Sequence, residues 1–233
     1  MTVGADYVLN PKLLVGTFVQ FDGTRQRSGI QQSDISGTGW LAGSYATVRL
    51  SEHVFLQSRA AWGRSSNEVS PFMNYVDKFD SERWLISSTL AGRWTYGPWT
   101  LKPAASVSYM QDKALNYQDT FGVAIPEITS GLGQAKVGPQ FSYHYLWNPG
   151  LVLEPYAGVQ LIWNFAGGTT VAGSSALNGD AVGPNGVRGR TELGLRAQSS
   201  NGFSLDFSGS YDGIGVGNYS AATGRATLRV PLN

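Results

Sequence analysis

Apolar residues recur at every second position through most of this chain. Between residues 135 and 147, one alternate set reads Ala135, Val137, Pro139, Phe141, Tyr143, Tyr145, Trp147; the other reads Lys136, Gly138, Gln140, Ser142, His144, Leu146. Residues 153–165 repeat the pattern, with Leu153, Pro155, Ala157, Val159, Leu161, Trp163 and Phe165 against Glu154, Tyr156, Gly158, Gln160, Ile162 and Asn164. Side chains of an extended strand point alternately to opposite faces, so each segment has one apolar and one largely polar face. The alternation returns at 84–94, 99–109, 203–211 and 225–232, and with more noise at 13–21, 40–50, 54–62 and 187–197. Residues 3–9 add a short first strand. The spacing predicts about eleven strands.

A soluble β-sandwich also alternates, but two features oppose it. The segments run to roughly 9–13 residues, whereas strands of soluble proteins cluster near 5–6 and a tilted membrane strand takes about 9–11. Aromatic residues also gather at the ends of the apolar faces: Trp40, Trp62, Trp84, Trp94, Trp99, Tyr109, Trp147 and Trp163, joined by Phe165. In a transmembrane barrel those ends lie at the membrane–water interfaces. Composition agrees. Charged residues are 14% of the chain and 30 of its 233 residues are Gly, against roughly 25% and ~7% in average soluble domains. Leu101, Val107, Phe141, Leu153, Val159, Leu161, Leu205 and Phe207 are thus expected to face outward, with the polar face lining a wet, crowded lumen.

Other classes fall away quickly. A helical span needs about 20 mostly apolar residues, and no unbroken apolar run here exceeds three. Aromatics at 12% and a net charge of +1 exclude disorder. A balance of 17 basic and 16 acidic residues gives no electrostatic reason to expect nucleic acid. With 0 Cys there are no disulfides and no thiolate metal sites. The first residues, MTVGADYVLNPK, lack the basic and apolar segments of a signal peptide. An exported form would carry its targeting segment upstream.

Short turns at 10–12, 51–53, 97–98, 148–150 and 199–202 alternate with longer polar connections at 22–39, 65–82, 111–134, 166–186 and 213–222. Periplasmic turns and extracellular loops of outer-membrane barrels alternate in this way. The whole chain, 1–233, therefore reads as a single all-β, antiparallel up-and-down transmembrane barrel. An odd strand count puts the two ends on opposite sides, whereas single-chain bacterial barrels have even counts. One strand is expected upstream of Met1. Strands 3–9 and 222–232 run in the same direction, so a gap or a few irregular contacts are expected between them.

Specific stretches carry a resemblance. Val3-Gly4-Ala5-Asp6-Tyr7, Gly39-Trp40-Leu41-Ala42-Gly43-Ser44-Tyr45, Ala60-Ala61-Trp62-Gly63-Arg64-Ser65 and Phe79-Asp80-Ser81-Glu82-Arg83-Trp84 come first. Glu154-Pro155-Tyr156-Ala157-Gly158, Arg188-Gly189-Arg190-Thr191-Glu192-Leu193-Gly194 and Tyr211-Asp212-Gly213-Ile214-Gly215 follow. As an ordered set spanning nearly the whole chain, they resemble the C-terminal β-barrel, or translocator, domain of autotransporters, the type V secretion proteins of Gram-negative bacteria. The resemblance implies a twelve-strand barrel threaded by a linker helix, of which about eleven strands are present here. It further implies location in the cell outer membrane, a passenger fused N-terminally, and partners in outer-membrane lipid and the barrel-assembly machinery. Outer-membrane barrels commonly end on an aromatic residue that this machinery is thought to read. Here the last residues are Arg229-Val230-Pro231-Leu232-Asn233, a departure from that pattern.

By strand parity Arg59, Arg83, Arg93, Lys102, Lys136, Glu154, Arg188, Arg190, Glu192, Arg196, Asp206, Arg225 and Arg229 point into the lumen. They could hold the linker helix and offer partners to a passing polypeptide, or simply satisfy one another as lumen filling. Catalysis finds little support. His53 lies in a turn, and His144 beside Ser142 lacks a nucleophile motif. The glycine clusters 167–168 and 213–217 open no helix, so they cradle no phosphate. The acids Asp34, Glu68, Asp77, Asp80, Asp119 and Asp180 are too scattered for a calcium loop. No enzyme activity, cofactor, nucleotide or metal is expected. The expected function is a secretion translocator and anchor, the alternative a free-standing pore or surface adhesin.

Overall fold

The computed structural model describes residues 1–28, 33–70, 74–172, 186–217 and 219–231. Its strands are β1 (Thr2–Asn10), β2 (Leu13–Ser28), β3 (Ser33–Arg49), β4 (Val54–Ser70), β5 (Asp77–Gly92), β6 (Trp94–Tyr96), β7 (Trp99–Ala114) and β8 (Tyr117–Gln118). They continue with β9 (Ala124–Ile125), β10 (Ile128–Tyr143), β11 (Tyr145–Asn148), β12 (Leu151–Val171), β13 (Gly186–Ser199), β14 (Ser204–Ile214) and β15 (Ala221–Arg229). The main sheet runs β1-β2-β3-β4-β5-β7-β10-β12-β13-β14-β15, with β6 beside β7 and β11 beside β12. Among the described residues eleven strands thus form the meander, every neighbouring pair antiparallel.

Two of the expected strands, 84–94 and 135–147, are interrupted at Arg93 and His144. Both breaks sit beside a proline on the partner strand. Continuing the register from Ala91↔Ala104 to Trp94↔Leu101 sets Gly92 opposite Pro103. Continuing it from Ser142↔Tyr156 to Tyr145↔Leu153 sets Tyr143 opposite Pro155. Proline has no N–H to give a ladder, so pairing lapses there and resumes in the same register. The ladders on the other side of each break run on undisturbed: Arg93 N–H donates to His53 O at 2.8 Å, continuing the β4–β5 register, and His144 N–H to Pro98 O at 2.7 Å, continuing the β7–β10 register.

On the long-loop side the strands run further than alternation indicates. β2 and β3 stay paired from Leu13↔Val48 out to Ser28↔Ser33, and β4 and β5 out to Val69↔Asp77. Within the expected connection 111–134, β8 and β9 form a small hairpin of their own. These extensions carry polar residues on both faces, which leaves no period-two signal to read. Asp180, the centre of connection 166–186, and Leu232 and Asn233 lie outside the described residues.

Burial is inverted relative to a water-soluble core. Val159 and Leu161 are 53% and 57% exposed, while Ile162 on the opposite face of β12 is 1% exposed. Val107, Phe141 and Phe207 are also exposed, and the register places them with Leu101, Leu153 and Leu205 on the Val159 side of the sheet. Strand β1, which ends the hydrogen-bonded order opposite β15, is exposed along its whole length.

Candidate functional site

The polar face is the inside of the curve. On that face side chains reach over intervening strands. Tyr45 on β3 donates to Asp6 on β1 (3.0 Å), Arg83 on β5 to Asp22 on β2 (2.9 Å), and Lys102 on β7 to Glu154 on β12 (3.1 Å). Tyr156 on β12 donates to Asp206 on β14 at 2.8 Å. The ion pairs of the other face, such as Arg64–Glu82 (2.6 Å) and Lys78–Glu68 (2.9 Å), join adjacent strands only. Three of these contacts cross one strand and Arg83–Asp22 crosses two, and side chains converge over intervening strands in this way where the sheet bends toward them.

Register brings most of the charged residues singled out by parity into one continuous wall. Glu154 accepts from Lys102 at 3.1 Å and from Arg196 at 3.4 Å, and Arg196 also pairs with Asp206 at 2.9 Å. Arg188 is nearly buried and pairs with Asp212 at 2.7 Å. Arg225 and Glu192 lie 3.8 Å apart. Arg59 donates to Ser87 (2.9 Å) and Arg190 to Ser210 (3.0 Å), both hydroxyls rather than carboxylates. Lys136 shares the row of Ile162 and Arg188. Arg93 lies at the break after β5 and Arg229 at the end of β15, opposite Ser204. Among the described residues Arg59, Arg93, Lys136, Arg190 and Arg229 have no carboxylate partner.

The family model of the autotransporter β-domain matches residues 1–210. The chain belongs to that family. Solved structures that share its fold include three from autotransporters. The β domain of the Bordetella autotransporter BrkA aligns at 16% identity over 97% of this chain and 84% of that one, with a TM-score of 0.62. The transport unit of the autotransporter AIDA-I from Escherichia coli gives 14%, 99%, 81% and 0.64 for the same quantities. The translocator domain of the autotransporter NalP from Neisseria meningitidis gives 16%, 97%, 78% and 0.65. No curated protein matches the sequence.

In this autotransporter β-domain two tyrosines build the same clasp. The Tyr45 ring lies flat over Gly16, where a Cβ would collide with it, and its hydroxyl ends on Asp6. The Tyr156 ring covers Gly194 in the same way and its hydroxyl ends on Asp206. Arg83 likewise crosses Gly39, whose missing side chain leaves room for the guanidinium. Asp6, Asp22, Tyr45, Tyr156 and Asp212 are the wall residues that parity alone did not single out. Each shares its strand's polar parity, and a glycine of the same parity on the neighbouring strand is the signal that could have marked the tyrosines.

Aromatic residues of the β-domain form two bands on the outer face. Trp40, Trp62 and Trp84 adjoin one another with centroids 5.3 and 6.3 Å apart, and Trp163 meets Phe165 at 5.4 Å. At the short-turn end Trp99 meets Tyr143 (4.8 Å), Tyr145 meets Trp147 (6.2 Å) and Trp94 lies beside His53 (6.0 Å). Ten residues separate Trp84 from Trp94 and Trp99 from Tyr109. At ~3.3 Å per residue on a strand tilted ~40°, this spans roughly 25 Å, the height of an apolar band.

Beyond the loop-side band the acidic residues serve local structure. Asp34 accepts from Arg25 (3.2 Å) and Arg27 (3.3 Å), and these guanidiniums, Arg25 first, hold its carboxyl below the usual range. Glu68 raises the Lys78 ammonium by direct hydrogen bonding. Buried Asp77 accepts both the backbone N–H (2.9 Å) and the hydroxyl (2.8 Å) of Thr120, tying down the β8–β9 hairpin. Burial, then the charges of Asp77 and Asp119, push the Tyr117 hydroxyl up. Ser66 donates to Asp80 at 2.8 Å, and Asp119 caps its own turn at Phe121 and Val123. Ser142 is buried and bonds Glu154, whereas His144 is exposed at the strand break.

Proposed function

We propose that this β-domain, residues 1–233 as one barrel unit, inserts in the cell outer membrane and carries an N-terminally fused passenger to the cell surface. The reading rests above all on the combination of an apolar outer face with a polar, charge-lined concave face. Lipid demands the first, because every polar group it meets must find an internal partner. A hydrated polypeptide demands the second. Trp40, Trp62, Trp84, Tyr109 and Trp163 sit at one membrane–water interface, Trp94, Trp99 and Trp147 at the other. The concave wall is the lumen lining against which a linker helix or extended passenger segment lies. Its Arg196–Glu154–Lys102 cluster keeps the wall in shape, and its unpaired cations face the cargo. No reaction is assigned to the domain, and no cofactor enters this account. Barrel-assembly machinery and outer-membrane lipid are its partners.

A reporter domain placed upstream of the full chain, behind a signal peptide, tests the proposal in a Gram-negative host. Protease added to intact cells should remove the reporter while leaving the β-domain in the outer-membrane fraction. A reporter retained in the periplasm beside an inserted barrel would favour a free-standing pore instead.

A further inference from the structure

Three cations crowd one sector of the concave wall. Lys136 on β10 faces Arg188 and Arg190 on β13, with Asp212 the one carboxylate among its charged neighbours. That carboxylate is already held by Arg188 at 2.7 Å. The Arg188 side chain is 7% exposed, its Nη1 is buried without a hydrogen-bond partner, and its guanidinium lies 5.4 Å from the Tyr219 ring. Lys136 has no carboxylate partner among the described residues, and the hydrogen bond of Arg190 goes to a neutral hydroxyl. Two positive charges are thus left over in a half-buried place, where the cost of desolvation calls for an anion.

Space for one adjoins them. A cavity of about 420 Å³ opens on the concave face, lined by Arg93, Lys102, Arg190, Glu192 and the amides of Gln57, Gln140 and Gln160; Lys136 and Arg188 lie just outside it, each two residues along its strand from the lining residues Gly138 and Arg190. Gly138 and Gly158 form part of its wall, and the absence of side chains there makes the recess. Guanidinium, ammonium and primary amides together donate to a carboxylate from several directions, and the one acid of the lining, Glu192, is offset by Arg225 at 3.8 Å.

We propose that the Lys136–Arg188–Arg190 sector, with Gln140 and Gln160, is a recognition site for an acidic side chain of the polypeptide held in the lumen. The site rests on the reading of the lumen as a polypeptide conduit and adds its chemistry: a Glu or Asp at this level of the cargo docks here, and a Gln or Asn does not. The partner is taken to be peptide rather than a free anion because the recess lies on the concave face, where the proposed function puts the cargo.

The test uses the full chain folded in detergent micelles and two fluorescent peptides of sixteen residues, identical except that one has two central Glu and the other two central Gln. Binding is read by anisotropy at low salt. The Glu peptide should bind about tenfold more tightly, the effect of one charge-assisted hydrogen bond. The double variant Lys136→Gln/Arg190→Gln should bring the two peptides to within about twofold, with strand content unchanged by circular dichroism. Equal binding of both peptides to the parent chain would overturn the site and leave the conduit reading standing. A preference that survives the double variant would also overturn it. Binding of neither peptide would count against the conduit reading itself. Inorganic phosphate that binds in a Lys136- and Arg190-dependent way, without discrimination between the peptides, would show a plain anion site and overturn the assignment to polypeptide.

Discussion

Arg83 on β5 holds both carboxylate oxygens of Asp22 on β2, at 2.9 and 3.1 Å, across the two strands that separate them. The reach is open because Gly39 lies under the guanidinium and Ser65 and Ser81 beside its path are small. A forked contact of this kind fixes geometry as well as charge. It braces the loop-side rim of the first hairpins against the middle of the sheet.

Gly39→Ala should therefore destabilise the domain by about 1–3 kcal/mol, since a Cβ there meets the Arg83 guanidinium and the Ser65 side chain. Urea titration in micelles gives the figure. The double variant Gly39→Ala/Arg83→Met should cost less than the sum of the single variants, because the methionine can yield to the new methyl group. Strict additivity would mean that the glycine matters for some reason other than this brace.

Tyr156→Phe keeps the ring over Gly194 and removes only the hydroxyl that donates to Asp206. The expected loss is about 0.5–1.5 kcal/mol. Gly194→Ala should cost more, because the ring itself has to move. The reverse order in the same titration would show that the hydrogen bond, and not the fit of ring on backbone, is the larger part of the clasp.

Val159→Arg puts a charge on the outer face near mid-height and should cost roughly 2–4 kcal/mol on folding into lipid. Gln160→Arg, one residue on and facing the concave wall, should cost far less. Folding yields into vesicles that fall equally for both variants would contradict the assignment of faces.

The Asp34 carboxyl is depressed by its hydrogen bonds to Arg25 and then Arg27. A carboxylate lowered in the folded state adds stability above its unfolded value and loses it as pH falls through the folded one. The outer end of the β2–β3 hairpin should accordingly fray as pH drops through and below the ordinary carboxylate range, and stay closed at neutral pH. Hydrogen exchange at residues 24–27 reports the opening, and Asp34→Asn should abolish its pH dependence. Fraying that grows as pH rises instead would contradict the sign.

Much of the fold was legible because membrane strands leave a two-residue imprint on sequence. Eleven strands and their faces follow from residues such as Phe141 and Val159 standing between Gln140 and Gln160. The imprint ends where lipid ends. From Gly23 to Arg27 both faces of β2 are polar, so its outer half reads as a loop although its ladder continues. Breaks at Arg93 and His144 were hidden because the cause lies on other strands, at Pro103 and Pro155. The charged wall was legible residue by residue, but its pairings were not. Lys102 and Glu154 are 52 positions apart and meet over a strand that parity does not order in space.

Alternation protects a chain poorly against one class of mistake. A hairpin that slips by one residue turns every side chain to the wrong face, but a slip of two restores each to its own side and escapes that penalty. The tyrosine clasps close this loophole. Tyr45 reaches Asp6 only if both the β1–β2 and β2–β3 ladders are correct, and Tyr156 reaches Asp206 only if the β12–β13 and β13–β14 ladders are. The two clasps act as proofreading near both ends of the strand order. Among the described residues β1 pairs with β2 alone, so the Tyr45–Asp6 clasp is a second check on its register.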